Sequence, residues 1–192
     1  MEFLFIRHGQ GEHTLDIPNS FQITNPSLTP NGRNQAKLLR NKFFLTEDDI
    51  ILISPIKRTI ETALIWSEKV ECRKIVTPKV GPRIFPTRTA GKTLPCDEII
   101  DFATLKLEYP NLELDTNATS NLWRWGINTL PEHEFDNIAR DLIEEIRSLK
   151  RKRIFIVSHD GTITAYRQFI TGGRLSRSDF LDETGSFRLD LG

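Results

Sequence analysis

Three short runs of the chain are apolar on both faces: FLFI at residues 3–6, IILI at 50–53 and IFIV at 154–157. Branched and aromatic residues dominate them, with no alternation of polar positions, so they predict strands of a parallel sheet covered on both sides. Each run is followed by a helical pattern, over residues 31–44, 54–70 and 160–170. A further pattern over residues 131–150 sets Phe135, Ile138, Leu142, Ile143, Ile146 and Leu149 at helical spacing, with charges between them. Strand and helix in alternation predict an α/β fold with a mainly parallel sheet. The alternating segment SFRLDL, residues 186–191, predicts an added edge strand.

Between Gly81 and Glu132 this alternation stops, and Pro82, Pro86, Pro95, Pro110 and Pro131 punctuate the chain. Long irregular stretches in compact folds often serve as lids or binding loops, so residues 81–132 are read as a cap inserted within one domain spanning 1–192. A chain of 192 residues is long enough to bury a core of its own.

Composition narrows the function. Lysine and arginine total 26, aspartate and glutamate 26, and the formal net charge is zero. That balance argues against a nucleic-acid binder relying on bulk electrostatics while leaving room for a local basic pocket. Cys72 and Cys96 stand far apart, without CxxC spacing, and indicate neither a disulfide framework nor a zinc site. No apolar run approaches the roughly 20 residues that cross a bilayer, and the apolar start is too short for a signal-peptide core. The expectation is a soluble, cytoplasmic protein with no membrane or nucleic-acid partner.

In open parallel sheets, ligands bind beyond the carboxyl ends of the strands, and each of the three runs ends in a notable cluster. The first ends in RHGQGEH, residues 7–13, where Arg7 and His8 can face one ligand if the chain leaves the strand there, as Gly9 and Gly11 permit. The second ends in SPIKRTIETA, where Ser54 is read as an N-cap, Pro55 as the first helical residue, and Arg58 as leaning back toward the helix start. Taken alone, Arg58 reads more readily as a solvated helix arginine than as a ligand group. The third ends in SHDGTI, with His159 at the start of a helix whose free N–H groups attract anions, in a turn eased by Gly161. Two arginines, two histidines and a helix start describe a phosphate pocket holding an imidazole that can attack phosphorus. The sequence contains no GxxxxGK[ST], no acidic cluster for paired metals and no Cys-x5-Arg.

At these residues the chain resembles the histidine phosphatase superfamily, which includes phosphoglycerate mutases and many phosphatases. The matching motifs come in the family's order: Arg7, His8 and Gly9; Leu28, Thr29, Gly32, Gln35 and Ala36; Ser54, Pro55, Arg58, Thr62 and Ala63; Ser158, His159 and Gly161. The resemblance implies a three-layer αβα sandwich of the phosphoglycerate mutase type carrying an inserted cap. It implies a metal-independent phosphatase needing no cofactor and acting on a phosphorylated small molecule. His8 would take the phosphoryl group as nucleophile, with Arg7, Arg58 and His159 around its oxygens. Gly9, Gln10, His13, Thr14 and Gly161 are the candidate substrate contacts. The acid that protonates the leaving oxygen is placed at Asp97, with Glu98 as the substitute and Asp101 as a third acidic side chain nearby.

Mutase openings of this family place Trp-Asn where this chain has His13 and Thr14, so a phosphatase is the leading reading. The alternatives are a phosphomutase and a phosphate-binding regulatory module with little turnover. Within the cap, Arg83, Arg88, Lys92, Trp123, Arg124 and Trp125 either form a basic, aromatic mouth or fill core and face water. His133 is assigned to a helix start with no chemical role.

Overall fold

A computed structural model describes residues 1–88 and 91–190. Its centre is a six-stranded sheet built from β1 (Glu2–Arg7), β2 (Ile50–Ile53), β3 (Arg73–Val76), β4 (Glu113–Leu114), β5 (Arg153–Ser158) and β6 (Ser186–Asp190). The strand order is β4-β3-β2-β5-β1-β6, parallel throughout except for β6, which runs antiparallel along β1. The last residue of the predicted edge strand, Leu191, lies outside the described residues.

The apolar runs are continuous in sequence, but successive side chains point to opposite faces and divide them between two cores. Leu4, Ile6, Ile51, Ile53, Phe155 and Val157 face one side. There they meet Leu39 of α1 (Pro30–Lys42), Ile60, Ala63 and Trp66 of α2 (Lys57–Trp66), Leu105 of α3 (Phe102–Glu108) and Trp123 of α4 (Ser120–Trp125). Phe3, Phe5, Ile50, Leu52, Ile154 and Ile156 face the other. Their partners include Phe135, Ala139, Leu142 and Ile146 of α5 (Glu132–Ser148), and Ile163, Ala165 and Tyr166 of α6 (Asp160–Thr171). The result is the three-layer αβα sandwich with a mainly parallel sheet.

Three expectations change. β3 and β4 have no counterpart in the apolar pattern, because β3 is half charged (RKIV) and β4 has only two residues. β4 also falls within residues 81–132, which therefore supply an edge of the central sheet as well as the core residues Ile100, Leu105 and Trp123. The third change is at α2, which starts at Lys57 rather than Pro55. Ser54 N–H still pairs with the Val157 carbonyl, a residue before proline avoids helical angles, and Ile56 remains extended. Ser54 is thus not a helix cap, and its hydroxyl is left for another partner.

Candidate active site

Strand register places the three sequence clusters side by side. Arg7 lies opposite Ser158, and Ile53 opposite Val157, so the ends of β1, β5 and β2 come level at the carboxyl edge of the sheet. His8 continues the ladder by one bond, its N–H donating to the Ser158 carbonyl at 3.0 Å. The chain therefore leaves the strand after His8; alternation starts the Arg7 and His8 side chains on different faces, and they approach one another over the strand end, where the Arg7 charge acts on His8, His13 and His159. His8 follows Leu4 and Ile6 toward α2, while Arg7 follows Phe3 and Phe5 toward α6.

On the α2 side, Arg58 is only 1% exposed and organises the site. Its Nε donates to His8 Nε2 at 3.2 Å and its Nη2 to His159 Nδ1 at 3.1 Å. Nη1 donates to the Cys96 carbonyl at 2.6 Å, and Nη2 also meets the Asp97 carboxylate at 2.8 Å. Because a guanidinium only donates, both imidazole atoms it touches must be acceptors. His8 then carries its proton on Nδ1 and donates to the Gly9 carbonyl at 2.7 Å; His159 carries its proton on Nε2 and donates to Ser54 Oγ at 2.8 Å. Each ring thereby has a fixed tautomer, and His8 presents a lone pair at Nε2. The two rings lie 5.1 Å apart between centroids.

Electrostatics agree with this assignment. Burial, and then the positive charge of Arg58, hold both His8 and His159 well below the usual histidine range. His13, buried 5.6 Å from the His8 ring, is lowered to about 3 by burial and then by Arg58 and Arg7. All three imidazoles are therefore neutral in neutral solution. Burial also lowers Arg58, and the Asp97 carboxylate opposes that shift.

Arg7 donates through Nη1 to the Leu181 carbonyl at 2.6 Å and pairs through Nη2 with Asp160 at 3.1 Å. Its Nε is buried without a partner, as is His13 Nδ1. The start of α6 is less open to anions than its sequence suggests, because the Asp160 carboxylate already accepts from Gly161 N–H.

The remaining candidates divide. Gly9 is required by close approach, since a Cβ there would lie 2.5 Å from the Gly32 carbonyl oxygen at the start of α1. Gly161 likewise sits against the Arg83 carbonyl, where a Cβ would have no room. Gln10 turns its side chain to Thr29, and Thr14 Oγ1 donates back to the Gly11 carbonyl, so neither joins the cluster. Asp97 is brought to Arg58; Glu98 is exposed, and Asp101 caps α3 through Thr104. In the cap, Trp123 is core, stacked edge-on against Phe102, and Arg83 is buried over the Phe135 ring. Arg88, Lys92 and Trp125 are exposed, the last beside Arg124, and His133 is exposed in the first turn of α5. Sequence reading missed two partners in this site, the Ser54 hydroxyl on His159 and the Cys96 carbonyl on Arg58. Among the described residues no cluster of histidine, cysteine and acidic side chains could hold a metal, and no helix is long and apolar enough to cross a membrane.

The family model for the histidine phosphatase superfamily (branch 1) matches residues 3–81, the stretch that carries His8 and Arg58. Over that stretch the chain is similar to the histidine phosphatase superfamily. Its relatives include a protein of Hydrogenobacter thermophilus provisionally named phosphoserine phosphatase 2, 28% identical over 169 residues covering 87% of this chain and 77% of the other. Among solved structures, the α-ribazole phosphatase of Shigella flexneri matches with TM-score 0.64 and 19% identity over 100% of this chain and 91% of that one. The phosphoserine phosphatase of Entamoeba histolytica, in complex with 3-phosphoglyceric acid, matches with TM-score 0.61 and 19% identity over 97% and 89%.

The other motif residues have structural tasks around the loop that follows β1. Thr62 Oγ1 accepts from Gly9 N–H at 3.1 Å, and Gln35 Oε1 accepts from Gln10 N–H at 2.7 Å while its amide reaches Glu183. Thr29 caps α1 by accepting from Gly32 N–H. Together they hold the loop after β1 from three directions.

Proposed function

We propose that the protein hydrolyses phosphomonoesters by transferring the phosphoryl group to His8 Nε2 and then to water. Phosphatase activity is the coarser reading, and it is supported by the family and by the phosphatases among its relatives. The observation that carries the finer mechanism is the fixed tautomer of His8: Nδ1–H is held by the Gly9 carbonyl, so Nε2 is a neutral lone pair facing the buried arginine.

In the ligand-free site Arg58 is neutralised by Asp97 and capped by two imidazoles. An arriving phosphoryl group, with more negative charge than one carboxylate, draws Arg58 Nη2 from Asp97 and Nε from His8, which frees the Nε2 lone pair, and takes the Arg7 Nε and His13 donors that lack partners. Nε2 of His8 forms a bond to phosphorus as the ester oxygen leaves. Asp97, freed from Arg58 beside the leaving group, takes up the proton that the phosphate monoanion brings and passes it to the leaving oxygen; it then takes one from the water that attacks the phosphohistidine and returns it to the departing phosphate. Bond making and breaking thus return His8 as the free base, with inorganic phosphate and an alcohol as products. The arginines hold the charge that gathers on the transferring oxygens. Asp97 is 27% exposed, which gives water the access that a hydrolase needs and a mutase must restrict.

Release of phosphate from p-nitrophenyl phosphate and from an alkyl phosphate, without added metal, tests this scheme. His8→Ala is expected to remove turnover of both. Asp97→Asn is expected to slow the alkyl ester by about 10²-fold and the p-nitrophenyl ester far less, because only the poor leaving group needs the proton. Hydrolysis that survives His8→Ala rejects the mechanism.

A further inference from the structure

A cavity of about 340 Å³ opens between the start of α5, the outer half of α6 and residues 83–87, and none of His8, His13, His159, Arg7, Arg58 or Asp97 lines it. Its volume suits a small molecule. Arg83 borders it, only 5% exposed, and every described partner of its guanidinium is neutral: the Ile127 and Leu130 carbonyls, Thr87 Oγ1 and the Phe135 ring. Its Nε has no partner. A buried cation without a paired anion is costly unless something supplies the charge.

Two carboxylates, Glu132 and Asp136, border the same cavity and act on Arg83 only from a distance. Glu132 accepts from Gln168 Nε2 at 3.2 Å, whereas Asp136 makes no hydrogen bond or ion pair among the described residues. A plain anion would meet these carboxylates, and a plain cation would meet Arg83 and the exposed Arg174, which also lines the cavity. A molecule carrying both charges on adjoining groups matches the wall, and Phe85 and Phe169 offer it an apolar surface.

We propose that this cavity binds a free α-amino acid with an apolar side chain, its carboxylate on Arg83, its ammonium on Asp136 and its side chain against Phe85 and Phe169. The carboxylate takes the Nε and Nη2 edge of the guanidinium, displacing the hydroxyl of Thr87 from an exposed loop. The site is independent of the phosphatase reading and does not use His8.

Titration calorimetry of the full chain with L-phenylalanine, N-acetyl-L-phenylalanine and phenethylamine tests it. L-phenylalanine is expected to bind at least tenfold more tightly than either probe lacking one charge. Gln168→Trp, which fills the cavity from the surface of α6, is expected to weaken that binding at least tenfold with unchanged phosphate release. Asp136→Asn is expected to remove the preference over the N-acetyl compound, and it keeps the test decisive if the tryptophan variant does not fold. His8→Ala is expected to bind as the wild type does. No binding at millimolar concentration, equal binding of the three probes, or binding that survives a folded Gln168→Trp overturns the proposal.

Discussion

Two arginines of this protein are almost fully buried, and they differ in what surrounds their charge. Arg58 faces a carboxylate and two imidazole lone pairs, so its charge is balanced by groups that a stronger anion can replace. Arg83 is held by main-chain carbonyls, a hydroxyl and an aromatic face, none of which carries charge. Burial lowers both. Burial alone therefore does not distinguish the two arginines; what does is the carboxylate and imidazole partners that Arg58 has and Arg83 lacks. Arg58 joins elements meeting at the strand ends, whereas Arg83 ties the 81–132 segment to α5.

The comparison breaks most sharply through Arg58→Lys. One ammonium cannot reach His8, His159, Asp97 and the Cys96 carbonyl together, so kcat/KM for p-nitrophenyl phosphate is expected to fall by about 10³-fold. Arg83→Met should instead cost stability, about 2–4 kcal/mol from the hydrogen bonds lost and the carbonyls left unpaired, measured by denaturant unfolding. Its kcat/KM should change by less than about threefold, since nothing it touches reacts. Equal losses of activity in the two variants would erase the distinction.

A smaller effect separates the two surroundings by pH. His8, His13 and His159 are held neutral in the folded protein, while unfolded histidines take up protons below their usual value of 6.5. Below that pH the unfolded chain binds more protons, so stability falls as pH falls, by up to about 1.4 kcal/mol per pH unit for each histidine. His13→Asn is expected to flatten that slope by about a third in unfolding measured from pH 6.5 down toward 4, and Arg83→Met to leave it unaltered. A slope untouched by His13→Asn would mean that His13 is not held neutral.

The sheet's centre was legible because both-face burial leaves a plain record: FLFI, IILI and IFIV are apolar whichever side chains face which core. β3 and β4 leave no such record, since an edge of the sheet tolerates Arg73, Lys74 and Glu113. In the site, His8, Arg58 and His159 were readable because their motifs adjoin strand ends that topology must bring together. Ser54 was misread as a cap because sequence cannot show a ladder running one residue past its strand. The Cys96 carbonyl carries no side-chain signal at all. Arg83 was open between a basic mouth and a residue facing water, and only the fold reveals that it is buried over the Phe135 ring.

Trapping the phosphoenzyme shows whether His8 carries the phosphoryl group during turnover. The protein is mixed with a phosphomonoester, quenched in alkali to preserve phosphohistidine, digested and mapped by mass spectrometry. The account predicts a phosphoryl group on the peptide holding His8, present during turnover and absent from His8→Ala. A phosphoryl group on His159 or another residue, or steady turnover with none detected on His8 under conditions that preserve phosphohistidine, would contradict it.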